Sequence, residues 1–227
     1  MSKLVWDNIG DKLFETGTKN GVIYPMVNNA YSTGVAWNGL TSVSEKPAGA
    51  DETEFWADDI KYGSVRAAET FGATIEAYTY PDEFAVCDGS AQPVSGVTVG
   101  QQSRRPFGFS YTSTIGNDTD GLEHGYKIHL IYNATVSPSE RGYQTINDSP
   151  DAITFSWELA TTPVPITDHP ELKPTSCITI DSTRFTSTEA KAKLDAFKEI
   201  LYGSTTEDPR LPLPAEVISL LDLNAES

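Results

Sequence analysis

Apolar and polar residues alternate along much of the chain with a period of two. In YKIHLIYNATV (126–136), Tyr126, Ile128, Leu130 and Tyr132 fall on one face, and Lys127, His129 and Asn133 on the other. In AITFSWELATTPV (152–164), Ile153, Phe155, Trp157 and Leu159 share a face opposite Thr154, Ser156 and Glu158. That period predicts strands with one buried face. The polar stretch SPSERGYQTINDSPD (137–151) between them predicts a long hairpin loop. An earlier hairpin is predicted over 33–66. TGVAWNGLTSV (33–43) and TEFWADDIKYGSVR (53–66) are its legs, and SEKPAGADE (44–52), broken by Pro47 and Gly49, is its charged tip. GVIYPMV (21–27) reads as a strand interrupted by proline, hence an edge. SGVTVGQQ (95–102), RPFGFSYTSTIG (105–116) and TSCITID (175–181) read as further strands, with NDTDGLEHG (117–125) as a turn-rich loop.

The period changes near the C-terminus. Ala190, Leu194, Phe197 and Leu201 recur at helical spacing, with Thr186 and Glu189 as a predicted capping box and Gly203 as the stop. AEVISLLDL (215–223) predicts a short amphipathic helix after the extended DPRLPLP (208–214), and PITDHPELKP (165–174) reads as a linker. Leu4, Trp6, Ile9, Leu13 and Phe14 are spaced irregularly and suggest a short helix or an anchoring arm. ATIEAYTY (73–80) reads as a strand. Pro81 then suits a helix start, with Asp82 and Glu83 favoured there by the helix dipole and Asp88-Gly89 as the end.

A chain of 227 residues, 38% hydrophobic and 21% charged, is sized for one mainly β domain with a real core. The net charge of −16 makes it a poor ligand for DNA phosphates or an anionic membrane. It suits a surface past which nucleic acid moves without sticking. Cys87 and Cys177 make neither a disulfide framework nor a zinc site. The N-terminal segment has no apolar core of a signal peptide and no run approaches a membrane span, so a soluble protein made in a reducing cytosol is expected.

The search for chemistry returns little. There is no phosphate loop, dinucleotide fingerprint or nucleophile elbow. His124 and His129 are spaced for opposite strand faces, and His169 stands alone beside a proline. Asp118 and Asp120 before Gly121 resemble a calcium loop, but in that register Gly116 and Lys127 stand where carboxylates belong. An Asx-rich turn is the plainer reading. The sequons at Asn117, Asn133 and Asn147 carry no meaning without secretion. Glu76, Asp82, Glu83 and Glu158 are candidates for a glycosidase-like pair, yet nothing singles out two of them among 32 acidic residues. Arg104-Arg105, the one basic doublet, is expected to pair with acids. Trp157 and Trp56 read as core, and Trp37 leaves a sugar-binding platform open. No catalytic, cofactor or metal residue is assigned.

Several long segments carry a resemblance. GVAWNGLTSVSE, FGATIEAYTYPDEFAVCDGS, GVTVGQQSRRPFGFSYTSTIGND, YKIHLIYNATVSPSERGYQTINDSPDAITFSWELATTPV and DPRLPLPAEVISLL together resemble the major tail protein of siphophages infecting Gram-positive bacteria. The resemblance is ordered, nearly end to end, and densest from Gly34 to Pro165. It implies a tail-tube-type β-sandwich with a flanking α-helix and a short C-terminal helix. Residues 1–165 would form the sandwich, and 166–227 a strand, helix and tail completing the same domain. It also implies stacked hexameric rings forming a virion tail tube, assembled in the host cytoplasm. Double-stranded DNA would pass through without specific binding. Partners implied are the subunit itself and the tape measure, tail terminator and tail-tip proteins. No enzymatic activity is implied, so Glu76, Asp82 and Glu83 are not expected to act together in catalysis.

On this reading, Asp59, Thr154, Ser156 and Glu158 are expected to face the lumen, with Lys127 and His129 on a matching polar face. Glu45, Lys46, Asp51, Glu52, Glu140 and Arg141 are expected in loops reaching other subunits or rings. A carbohydrate- or cell-surface-binding sandwich, a glycoside hydrolase and another virion ring (a connector or tail-tip component) are the alternatives.

Overall fold

The structure is a computed structural model, which describes residues 4–146 and 151–222. Seven strands come first: β1 (Phe14–Val27), β2 (Ala30–Tyr31), β3 (Val35–Trp37), β4 (Leu40–Gly49), β5 (Glu52–Ala57), β6 (Ile60–Arg66) and β7 (Glu69–Ala77). A 3-10 turn (Asp82–Phe84) leads into α1 (Ala85–Asp88). Then come β8 (Ala91–Val94), β9 (Val97–Val99), β10 (Phe107–Asn117), β11 (Gly121–Val136), β12 (Phe155–Thr161) and β13 (Cys177–Asp181). A second 3-10 turn (Ser182–Arg184), α2 (Thr188–Tyr202) and α3 (Pro214–Leu221) close the described chain. The fold is mainly β.

The main sheet runs β2-β1-β10-β11-β12-β7-β4, with β13 beside β11 and β3 beside β1. Each neighbouring pair along this path is antiparallel. β3 and β4 follow one another through the Asn38-Gly39 turn, yet β3 lies on β1 and β4 on β7. The sheet therefore curls back on itself, and two layers face each other: β1-β10-β11 and β12-β7-β4. Between them lies a fully apolar core that includes Ile23, Trp37, Ile75, Phe107, Phe109, Ile131 and Trp157. Burying a large side chain of this kind contributes roughly 1.5–3 kcal/mol. Phe84 and Cys87 close one end of it from the Pro81–Gly89 segment, and both are completely buried. Pro81 precedes this short helical segment as its cap, and Gly89 ends it in the left-handed region at φ 78°.

The other face of β1-β10-β11 carries a second core. Val22, Tyr24, Ile128, Leu130, Tyr132 and Ile180 meet Leu194, Phe197 and Leu201 of α2 and Val217 of α3. The helical face read from sequence is the buried one. Its cap is one residue later than expected: Ser187, not Thr186, is extended and accepts the Ala190 N–H at 3.0 Å. The Tyr24 hydroxyl donates to the Leu201 carbonyl at 2.6 Å, and the Tyr132 hydroxyl to the Pro212 carbonyl at 3.1 Å. Burial pushes both phenols up, so both remain protonated donors.

β11 serves both cores because of one bulge. Asn133 adopts φ 47°, and the partner of Phe109 is Ile131 while that of Phe107 is Ala134. The extra residue reverses the alternation, so Ala134 and Val136 join Ile131 between the two layers.

The first hairpin differs from the sequence expectation. Residues 44–52 are not its tip. β4 pairs with β7 through Gly49, the chain bends at Gly49 and Ala50 (φ 84° and 58°), and β5 and β6 continue as a two-stranded ribbon. The tip is Asp58-Asp59, both left-handed at φ 50° and 61°. Pro47 reads as a loop residue, but β4 ends the sheet and pairs on one side only, where a missing N–H is tolerated. Conversely, β1 is not a bare edge. β3 and β2 cover Gly21–Ile23 and Met26–Val27, and Pro25 falls in the gap between them. Residues 33–43 divide at Gly39, and 95–102 contains only the return strand of the short β8–β9 hairpin. The loop 117–125 is a tight turn joining β10 to β11. The predicted long hairpin of 126–164 is short in its pairing: β13 lies on β11 over Lys127–Ile131, and β12 only over Ala134–Val136. Residues 4–13 contain no helix.

Candidate functional site: assembly surfaces

Among the described residues, no group of three or more His, Cys, Asp or Glu side chains is placed to hold a metal ion. Asp118 and Asp120 are engaged in the turn: Asp118 accepts the Gly10 N–H at 3.0 Å, and Asp120 meets Asn117 and His124 at 3.2 and 3.0 Å. Asn117 forms the Asx turn itself, accepting the N–H groups of Thr119 and Asp120. The His169 side chain pairs with Glu171. Asn147 lies outside the described residues, as do 147–150 of the predicted hairpin loop and Leu223 of the predicted C-terminal helix.

The outward face of β12-β7-β4 is polar. Ser156 stands opposite Glu76, and Glu158 opposite Thr74. On the other side Ser42 meets Glu76 and Ser44 meets Thr74. The Ser42 hydroxyl donates to Glu76 at 2.9 Å, and Lys46 pairs with Glu158 at 3.5 Å. Ser156 and Glu158 thus lie together on one face, as the alternation of β12 requires. Thr154 immediately precedes that strand and is exposed. Asp59 is not on this face; it sits at the ribbon tip. Lys46 belongs to the face and not to a loop, because 44–49 continues as strand.

Lys127 and His129 point elsewhere. Both face the interior between the layers, at the end remote from Phe84. Lys127 pairs with Glu15. The His129 ring stacks on Tyr111 with centroids 4.5 Å apart, hydrogen-bonds Ser113 at 2.9 Å and faces Glu45 at 3.5 Å. The Tyr111 hydroxyl donates to Glu45 at 2.8 Å. Glu45 is therefore a strand residue tying β4 to β10 and β11, and not a loop residue free for another subunit. The His129 hydrogen bond, with Tyr111 assisting against burial, holds the Glu45 carboxyl below its usual range. A lowered folded-state value stabilises the fold above the ordinary carboxylate pKa, and that contribution is lost as pH falls through the lowered value. Glu45→Gln should lower the urea midpoint at about pH 7 and narrow its difference from the midpoint at about pH 4. Equal losses at both pH values would exclude this role.

Asp88 has the opposite sign. Burial raises its carboxyl pKa, against the pull of Arg141, Arg104 and a hydrogen bond from Trp157. Arg141 pairs with Asp88 and lies over the rings of Tyr80 and Phe155 at 5.5 and 5.8 Å. It therefore pins its own loop to the body, while Glu140 beside it is exposed. Cys87, buried in the core, has its thiol pushed up to about 12.

The features that sequence reasoning missed are exposed and apolar. The ribbon has no buried residue, and Phe55, Trp56, Ile60, Tyr62 and Val65 are 47–77% exposed. Trp56 is thus surface, not core, whereas Trp37 is core, in contact with Phe84, Phe109 and Trp157. Leu4, Trp6 and Ile9 of the N-terminal arm are 73–85% exposed. Lys61 pairs with Glu52 and Glu54, and Arg66 with Glu52. Asp51 takes the bend, its carbonyl accepting the Ala67 N–H. Adjacent aspartates between two alternating legs in FWADDIKY were the available signal for the ribbon turn.

No protein-family model matches the chain, and no curated protein sequence matches it. Among solved structures, its neighbours are components of contractile injection systems. The sheath–tube complex of an extracellular contractile injection system (PVC, extended state) contains a chain 13% identical. The TM-score is 0.35, covering 71% of this chain and 88% of that one. A chain from the sheath/tube terminator of the same system is 11% identical, with a TM-score of 0.33 over 71% and 93%. One from the anti-feeding prophage baseplate is 8% identical, with a TM-score of 0.32 over 79% and 97%.

Proposed function

We propose that this chain is a structural subunit of a phage tail tube, which assembles with copies of itself into stacked hexameric rings. The observation that carries this reading is the layering of the molecule. A polar sheet face, an apolar core, a second sheet, a second core and a layer of helices follow one another, with assembly-type apolar surface at one end. This is the cross-section of a wall with a wet inner face.

The sheet β12-β7-β4 forms the inner face, with Ser156, Glu158, Glu76 and Ser42 towards the lumen. Its edges support lateral growth. β4 has a strand on one side only, and β11 covers β12 only at Leu159–Thr161. A neighbour's β4 beside β12 continues the sheet around a ring, which satisfies edges that would otherwise template aggregation. An acidic lumen lets double-stranded DNA pass without adhering. The long resemblance in sequence to siphophage major tail proteins supports the same reading. By that resemblance the tape measure, tail terminator and tail-tip proteins are its partners, in a virion assembled in the host cytoplasm.

The test is negative-stain electron microscopy of purified protein across a concentration series, with light scattering. Hollow tubes of stacked rings are expected. Single rings that never stack would make it a connector or tail-tip ring instead, and a monomer at every concentration would count against assembly.

A further inference from the structure

Between the two layers, at the end remote from Phe84, the apolar core gives way to polar side chains. On β10 the positions that follow Phe109 on the inward face are Tyr111 and Ser113, and their partners in β11 are His129 and Lys127. Cross-strand partners share a face, so these four side chains lie together. The Ser113 hydroxyl is 2.9 Å from Nε2 of His129, and the Glu45 carboxylate is 3.5 Å from Nδ1. Tyr111 stacks on the imidazole at an interplanar angle of 5° and donates its hydroxyl to the same Glu45 oxygen at 2.8 Å. Thr179, the partner of His129 in β13, lies 3.4 Å from Nδ1.

An ionised carboxylate only accepts hydrogen bonds, so Glu45 favours the imidazole tautomer with its proton on Nδ1. Nε2 is then left to accept from the Ser113 hydroxyl. A hydroxyl, a base within hydrogen-bond reach of it, and an acid that orients the base are the parts that turn a weak alcohol into a nucleophile. Glu45 is held below the usual carboxylate range, which keeps it ionised at neutral pH. Lys127, opposite Ser113 in the ladder, reaches across β10 to Glu15 and brings a cation to the same end of the strand. The three members come from β4, β10 and β11, so only the folded chain assembles them. Ser113 is 9% exposed and the His129 side chain 12%, which admits a short acyl group and little more.

We propose that Ser113 is a nucleophilic site that accepts the acyl group of a small ester, with His129 as its base and Glu45 as the positioning residue. Ser113 Oγ attacks the acyl carbon while Nε2 of His129 takes the hydroxyl proton. The bond from that carbon to the leaving alcohol then breaks, and the proton passes from Nε2 to the leaving oxygen. The products are an acyl-serine, a free alcohol and a neutral imidazole. Lys127 balances the negative charge that gathers on the carbonyl oxygen during attack. The proposal does not depend on the tube reading, since the cluster lies inside one subunit.

The probe is p-nitrophenyl acetate, read by intact mass and peptide mapping. The unaltered chain should gain an acetyl group at Ser113, and Ser113→Ala should lose that adduct. His129→Gln keeps a side chain that can hydrogen-bond but cannot take the proton, and should slow labelling of Ser113 by about a hundredfold or more. Glu45→Gln presents an amide that can donate to the imidazole and favour the wrong tautomer, and should slow it by about tenfold or more. Circular dichroism checks that each variant folds. The unaltered chain unfolded in urea is the second control, and its Ser113 should not be labelled. Acetyl groups on lysines alone, or a Ser113 labelled as fast in His129→Gln or in urea as in the folded chain, overturns the site. Tubes should form equally from the unaltered chain and Ser113→Ala, so failure of this site and failure of the tube reading are told apart.

Discussion

Trp157→Ala should produce the largest loss of stability of any single substitution in this chain, about 3–5 kcal/mol. Trp157 is 1% exposed and lies among Trp37, Tyr80, Phe84 and Phe155, with ring centroids 5.3–5.9 Å away. Truncation removes these ring contacts and leaves a cavity at the junction of β12, β3 and the Phe84 plug. It also removes the indole hydrogen bond to Asp88. That carboxylate is half-buried, and losing a donor there adds to the cost. For a domain of this size the melting temperature should fall by about 10 °C or more. Urea denaturation read by far-UV circular dichroism measures it directly. A loss below about 1 kcal/mol would mean that this cluster does not hold the two layers together.

Removing the ribbon should do the reverse: little to stability and everything to assembly. Gly49 and Glu69 are already paired, so an Asn-Gly turn can join them in place of residues 50–68. The deleted segment has no side chain in either core. The shortened chain should therefore melt within a few degrees of the unaltered one, since neither core loses a contact. It should form no tubes at concentrations where the full chain does. Tubes of normal length from the shortened chain would remove the ribbon from assembly. A large loss of stability would mean that it supports the fold.

Much of the fold was legible because alternation is a direct record of burial. The apolar residues Ile128, Leu130, Tyr132, Trp157 and Leu159 are buried as their alternation predicts, and α2 buries the four residues that share a face. The misreadings have specific causes. Pro47 and Gly49 are breakers in general, but β4 is an edge strand and tolerates a proline. Asn133 reverses the period of β11 by a bulge, which no periodicity can announce. The polar side of β11 does not face solvent, because Lys127 and His129 find Glu15 and Glu45 across the interior; which acids would meet them depends on how the sheet curls. Trp56 reads as core because alternation gives a strand's faces without saying whether anything lies against them. The exposed apolar ribbon was the least legible part, since an apolar residue on the surface looks in sequence like one in the core.

If copies of the subunit stack head to tail as proposed, each layer joins the next through unlike surfaces. Contacts between unlike surfaces repeat without exhausting themselves, so every added layer recreates the site that the next one needs. Such a polymer has a direction, with one growing end chemically different from the other. It holds no information about its own length.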